Sequence, residues 1–212
     1  MLYKLIRTKR KTIGLYVKEG NVIVRAPMRT PARVIDAFVL SKQTWIEKHL
    51  ALQRKREEKR SAYKLDYGTA VPLLGREYYI GTKNEDYIIC FPDGLDSEQL
   101  RNKLIAFYKI QAKTIIEKRV NYFSSIMGVR PSYIKIGSAK QSWGSCSASG
   151  RLIFSWRLMM AAPDSIDYVI VHELAHLKHM NHSKEFWAVV NETMPDWKSR
   201  RQKLRELQKR II

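Results

Sequence analysis

Residues 171–182 read VHELAHLKHMNH and hold four of the chain's five histidines, His172, His176, His179 and His182, with Glu173 among them. The residues before them, Ile166, Tyr168, Val169, Ile170 and Val171, are apolar. They follow Pro163-Asp164-Ser165, a helix-start signal, and meet no breaker before Asn181, so the pattern predicts a buried helix. At 3.6 residues per turn, His172 and His176 share one face and can reach one metal ion. Glu173 is rotated by about 100°, beside that ion and not on it. Two histidines and an offset carboxylate make a hydrolytic zinc arrangement, in which the carboxylate takes a proton from the attacking water and later gives it to the leaving amine. The competing reading is a helix that carries histidines by chance.

A catalytic zinc keeps three protein ligands and one open position, so a third donor is required. On a continuing helix His179 would share the face of His172 and His176, but it would stand about 10 Å along the axis from His172 at 1.5 Å rise per residue. Ring nitrogens about 2 Å from one ion cannot come from so long a row. His182 is better placed if the chain turns after Lys178, and Asn181, which tolerates the left-handed conformation, offers a means to turn. The spacing HExxH-x5-H equals that of the metzincins, yet His179 stands where they have a turn glycine, which argues against a metzincin proper. His179 stays the alternative ligand, or a histidine bordering the site. A structural zinc would instead close its fourth position, usually with cysteine, and would have no use for an ionised carboxylate beside it. Only Cys146 could serve there. Cys90, which ends the apolar run Tyr87-Ile88-Ile89, reads as a strand residue, and two cysteines in different motifs do not make a disulfide framework.

The elements that must hold these groups follow an α+β order. Residues 3–26 alternate with period two around a turn at Glu19-Gly20-Asn21, as short strands. Thr30-Pro31 opens one helix carrying Val34, Ile35, Phe38, Trp45, Ile46 and Leu50 into the charged run Arg54–Arg60. Strands return over 63–91, punctuated by Gly68, Gly75, Gly81 and Pro92-Asp93-Gly94. Asp96 with Gln99 caps a long helix through Ile126, ended by Gly128 and Pro131. Ser132–Ile136, Ser138–Ser142 and Arg151–Ser155 read as strands leading to the histidine helix. The expected organisation is a single domain over residues 1–212, with a β-rich part over 1–95 and a zincin-like catalytic part over 96–212. No repeat or low-complexity linker interrupts it.

The surroundings of the histidines carry a resemblance. Ser142-Trp143-Gly144-Ser145-Cys146-Ser147, Gly150-Arg151-Leu152-Ile153, Pro163, Ile166 to Val169, His172 to His176, and Asn181-His182-Ser183 with Phe186-Trp187 are similar to the YgjP-like metallopeptidase domain. That zincin family is related to the SprT-like proteases. The resemblance runs from the early strands to the terminal helix and is most specific between Trp143 and Trp187. It implies a zinc-dependent peptidase with His172, His176 and His182 as ligands and Glu173 as general base. In zincins a strand edge beside the metal helix holds an extended peptide by main-chain hydrogen bonds. Here Lys140–Ser147 or Leu152–Phe154 could supply it. Trp143 is a candidate cleft wall or a packing residue, and Tyr168, Ser145, Lys140 and backbone amides are candidate oxyanion donors.

At 212 residues and 45% hydrophobic, the chain can bury one good core, with a satellite at most. The first twenty residues alternate charge with apolar side chains, unlike a signal peptide or a membrane span, so the expected location is cytoplasmic with no membrane contact. Of the net charge of +19, most sits at the ends: residues 1–62 hold 16 basic against 5 acidic side chains, and residues 198–212 hold 7 against 1. Basic flanks attract polyanions, and DNA or RNA is the candidate partner for Arg54–Arg60 and Lys198–Arg210. Some SprT-like relatives digest proteins crosslinked to DNA. The opposing reading is a solvated helix face, with Trp197, Leu204, Leu207 and Ile211 packing while Arg200, Arg201, Lys203 and Arg205 face water. A zinc peptidase acting on a protein or peptide therefore stands against a basic nucleic-acid-binding protein with a structural zinc.

Overall fold

The computed structural model describes residues 2–18, 20–62 and 64–211. The fold is α+β, in two compact units, residues 1–64 and 65–212. The first unit has strands β1 (Lys4–Thr8), β2 (Gly14–Lys18) and β3 (Asn21–Pro27) in the order β1-β3-β2, with β2 and β3 antiparallel and β1 parallel to β3. Of the expected turn Glu19-Gly20-Asn21, Glu19 lies outside the described residues. Gly20 has φ 73° and Asn21 pairs with Lys18. The single helix expected from Thr30 is two, α1 (Ala32–Ser41) and α2 (Gln43–Ala62). They break at Lys42, whose φ of −109° leaves the helical region, where the Ser41 hydroxyl donates to the Phe38 carbonyl. Ile35, Val39 and Ile46 cover Val22, Val24 and Ala26 of the sheet. Of the Arg54–Arg60 run, the side chains of Arg56, Glu57, Lys59 and Arg60 lie outside the described residues.

The second unit carries the histidines. Strands β4 (Ala70–Leu73), β5 (Arg76–Gly81) and β6 (Ile88–Cys90) form one sheet. Leu74 and Gly75, both at positive φ (52° and 76°), make the two-residue turn between β4 and β5, matching the strand twist. A Cβ at Gly75 would stand 2.9 Å from Ala162, so only glycine lets this turn abut the residue that precedes the histidine helix. These strands share their core with the rest of the second unit: Val71, Leu73, Ile80 and Ile89 belong to one buried cluster with Leu100, Trp156 and Ile170. The two compact units meet between Lys64 and Leu65, and apolar burial joins the middle sheet to the part that carries the histidines.

Helix α3 (Ser97–Met127) starts at a reciprocal capping box, Asp96 accepting from the Gln99 amide while the Gln99 side chain accepts from the Asp96 amide, and ends at left-handed Gly128. Leu100, Leu104, Tyr108, Ala112, Ile116, Val120, Phe123 and Met127 form its buried stripe. A third sheet, β7 (Tyr133–Gly137), β8 (Gly144–Cys146) and β9 (Arg151–Ser155), has the order β7-β9-β8, with β8 antiparallel to β9. Ser138–Ser142, expected as a strand, is not one. Its carbonyls are taken by side chains, Ser138 O by Arg157 Nη1 (3.0 Å) and Ala139 O by Ser155 Oγ (2.7 Å), so pairing resumes only at Gly144. A 3-10 turn (Trp156–Met160) leads to α4 (Pro163–Ala175), α5 (Lys184–Thr193) and α6 (Trp197–Ile211). Among the described residues no helix is long and apolar enough to cross a membrane.

Candidate metal centre

Helix α4 carries the site because it is buried nearly all round, as its uninterrupted apolar run requires. Pro163 at its first turn has no amide proton to leave unpaired. A two-pronged ion pair fastens it to α3, Arg119 Nε to Asp167 Oδ1 and Arg119 Nη2 to Asp167 Oδ2, each 2.6 Å. The regular helix stops at Ala175, before the expected point. Leu177 N donates to Leu174 O, and Lys178 N and His179 N to Ala175 O, a tightened last turn that reverses the chain. Asn181 does not supply a left-handed corner: among the described non-glycine residues only Leu74 and Tyr87 have positive φ.

The reversal brings His182 back onto α4. His182 Nε2 lies 3.1 Å from His172 Nε2, and one ligand atom each from His172, His176 and His182 falls within 4.8 Å of the others. His179 and Cys146 are outside this group. Nitrogens bound tetrahedrally at about 2.0–2.1 Å from one ion stand about 3.3–3.4 Å apart, so the His172–His182 pair is close to that spacing and the trio could hold a small dication. His179 contributes through its backbone instead. Its carbonyl lies 3.1 Å from His176 Nδ1, which donates there and so leaves the Nε2 lone pair for the cluster. Buried Phe186 packs its ring 5.0, 4.6 and 4.8 Å from the centroids of His172, His176 and His182, and Trp187 stacks on His182. Phe186 and Trp187 thus fix the ring orientations from α5.

Burial sets the electrostatics. The His172 imidazole, shut away from water and next to His176 and His182, is pushed down to about 3, and burial also lowers His176. Neutral imidazoles are the form that binds metal. Glu173, 6% exposed and with no ion-pair partner among the described residues, is pushed by desolvation up to about 7. A carboxyl poised there can both take and give a proton near neutral pH, and a dication in the adjacent cluster favours its ionised form. Gly144 of β8 lies directly against it: a Cβ there would come within 2.7 Å of Glu173 Cγ and Oε1. Burial, and after it the Glu173 charge, raises the Cys146 thiol, which is therefore no ready thiolate ligand.

A cleft of about 510 Å³ opens over these groups. Trp143, Gly144 and Tyr168 line it, so the tryptophan does wall the cleft, whereas Ser145 and Lys140 do not. The far wall comes from α6: Arg201, Leu204, Arg205 and Gln208. Sequence reasoning left these arginines to solvent or nucleic acid, since nothing local tells that α6 folds back onto α4. Leu204 is buried, and Trp197 and Leu207 pack against the core as the helical spacing predicts, while the Ile211 side chain lies outside the described residues.

None of the curated proteins matches this chain. Several solved structures resemble part of it, two metallopeptidase zymogens among them. The metallopeptidase zymogen abylysin of Pyrococcus abyssi is 22% identical, covering 45% of this chain and 94% of its own, with a TM-score of 0.40. The zymogen jannalysin of Methanocaldococcus jannaschii is 25% identical over 45% and 97%, with a TM-score of 0.39. The family model described as "YgjP-like, metallopeptidase domain" matches residues 11–207, nearly the whole chain. With that match around a convergent histidine trio, the chain belongs to the YgjP-like metallopeptidase domain family.

Proposed function

We propose that the protein is a zinc peptidase in which His172, His176 and His182 hold the metal and Glu173 is the general base and acid. The observation that carries this is the convergence of three imidazoles, one with its tautomer fixed from outside, beside a buried unpaired carboxyl. Zinc in such a site supplies Lewis acidity, polarising the scissile carbonyl and bringing the pKa of a water near 7. Glu173 takes the proton of the attacking water and returns it to the leaving amine. Strand β8 receives the substrate: β9 is hydrogen-bonded on both sides, whereas among the described residues β8 pairs with β9 alone and leaves an edge beside Glu173 for an extended peptide. Of the side chains weighed as oxyanion donors, Tyr168 lines the cleft with His172 and Glu173, and so has the best access to the substrate carbonyl.

The structural-zinc reading needs a fourth ligand, and Cys146 stays outside the histidine group, its thiol directed to the Ser147 carbonyl. Glu173→Gln separates the two: the variant should keep its metal and fold and lose about a hundredfold or more in hydrolysis of an unfolded protein substrate. Wild-type cleavage by that variant would sink the mechanism. Contact with nucleic acid is a separate proposal resting on the basic flanks alone. It predicts DNA binding whose logarithm falls linearly with the logarithm of salt over about 50–200 mM. No salt-sensitive binding at the low end refutes it.

A further inference from the structure

Helix α6 carries seven basic residues between Lys198 and Arg210, and those nearest the site divide by partner. Arg200 is bonded to Asp196 (2.8 Å) and to the Asp164 carbonyl (3.2 Å), and Lys203 to the Asp164 carboxylate (2.7 Å). These bonds, with buried Leu204, fasten the helix to the start of α4. Arg201 and Arg205 are one turn apart on the face that walls the cleft, and neither has a carboxylate partner among the described residues. Arg201 lies over the Trp187 ring, 5.5 Å from its centroid, half-buried and aligned with the aromatic that stacks on His182. Like charges one turn apart repel, and the repulsion goes uncompensated where no acid faces them. Among the cleft-lining residues Glu173 is the single acid, and it is buried beside Gly144. A second hollow bounded by Trp197, Lys198, Arg201, Gln202 and Arg205 continues the basic wall outward.

From this division of partners we infer that Arg201 and Arg205 form a substrate subsite for a carboxylate, so that the enzyme selects peptides bearing an acidic group close to the scissile bond. The inference rests on the peptidase reading and names its substrate class. Guanidinium groups present planar forks of donors that match a carboxylate, and such charge-assisted bonds are stronger than neutral ones; Arg201 is half-buried and Arg205 exposed, so the stronger bond is expected at Arg201. Anchoring of Arg200 and Lys203 to Asp196 and Asp164 fixes the helix that carries the two forks before substrate arrives, and the Trp187 ring holds Arg201 from one side, which reduces the ordering cost of binding. The carboxylate can belong to an Asp or Glu side chain or to a peptide C-terminus, and both present the same two oxygens.

The test uses the full-length zinc-loaded protein with a set of fluorogenic peptides carrying Glu or Gln at successive positions, each as free acid and C-terminal amide. The wild type should prefer Glu over Gln at one position about tenfold or more in kcat/KM, as one charge-assisted pair implies. Free-acid and amide forms that differ instead assign the subsite to the terminus. Arg201→Gln/Arg205→Gln should collapse the Glu-to-Gln ratio towards one, and Arg201→Glu/Arg205→Glu should turn the preference to Lys. A ratio that survives in both variants overturns the subsite.

A second readout separates the subsite from the chemistry: anisotropy binding of the same labelled peptides to zinc-loaded Glu173→Gln protein. Arginine-dependent preference for the acidic peptide, with no cleavage by the wild type, would uphold the subsite and remove the peptidase reading. Cleavage by the wild type with equal binding of Glu and Gln peptides would do the reverse.

Discussion

Replacing Gly144 with Ala adds one methyl group at the most crowded point of the site. The new carbon would fall 2.7 Å from Glu173 Cγ, 2.7 Å from Oε1 and 3.0 Å from Cδ, against an ordinary contact of at least 3.4 Å. The carboxylate or β8 must therefore yield by about 0.7 Å. Glu173 borders the cleft but is otherwise packed on a buried helix, so yielding moves its carboxylate out of its place beside the histidines. Overpacking of this kind costs about 1–3 kcal/mol of stability. Displacing a catalytic group by about 1 Å costs about a hundredfold in rate. The expected result is a fall in kcat/KM of about ten- to a hundredfold, with metal content unchanged because the three atoms nearest the new methyl all belong to Glu173. The assay is peptide hydrolysis with metal analysis, repeated on a Glu173→Gln background. There the second substitution should slow hydrolysis little further, since the group it displaces is already disabled. Wild-type turnover by Gly144→Ala would refute the claim that Glu173 must sit where it does. A further large loss on the Gln background, with weaker peptide binding, would move the effect from the carboxylate to the strand edge.

His182→Ala should lower zinc content far more than His179→Ala, because the His179 ring lies outside the ligand group and its backbone carbonyl survives the substitution; equal retention in the two proteins contradicts the ligand set. Asp167→Asn breaks the two-pronged pair with Arg119 between α3 and α4, and loss of a partly buried pair of that kind should cost about 1–3 kcal/mol in urea unfolding; a change smaller than about 0.5 kcal/mol counts against it. The Lys203 hydrogen bond, foremost, holds the Asp164 carboxyl below its ordinary 3.8, so its stabilisation is present at neutral pH and is lost as pH falls from that value through the lower folded one. Lys203→Gln should remove that part of the acid dependence, at a cost at neutral pH of about 1 kcal/mol or less, since the pair is partly exposed; an unchanged acid limb shows that the bond carries no linkage.

Local chemistry made much of this protein legible in its sequence. HExxH on an apolar run places two histidines and an offset carboxylate by helix geometry alone. The Asp96–Gln99 capping box and Gly128 bound the long helix because caps satisfy backbone groups within a few residues of themselves. His182 could be preferred over His179 by axial reach, but the way the chain turns depends on hydrogen bonds to Leu174 and Ala175 and on a ring-to-carbonyl bond that single-residue preferences do not encode. The break at Lys42 and the loss of the strand at Ser138–Ser142 were illegible for a related reason, since side chains there compete with the backbone for its own carbonyls.

Only the tertiary structure decided which sheet belongs with the site, which strand keeps a free edge, and where the basic residues of the last helix point. The middle sheet joins the catalytic unit through apolar burial, which is non-directional and leaves no mark on local pattern. The helical spacing of Trp197, Leu204 and Leu207 fixed that α6 packs. It could not say against what, and so it could not distinguish Arg200 and Lys203, paired with Asp196 and Asp164, from Arg201 and Arg205, which line the cleft. Periodicity fixes a face relative to its own helix axis; the partner of that face is chosen by residues far away in the chain, and that choice exists only once the chain has folded.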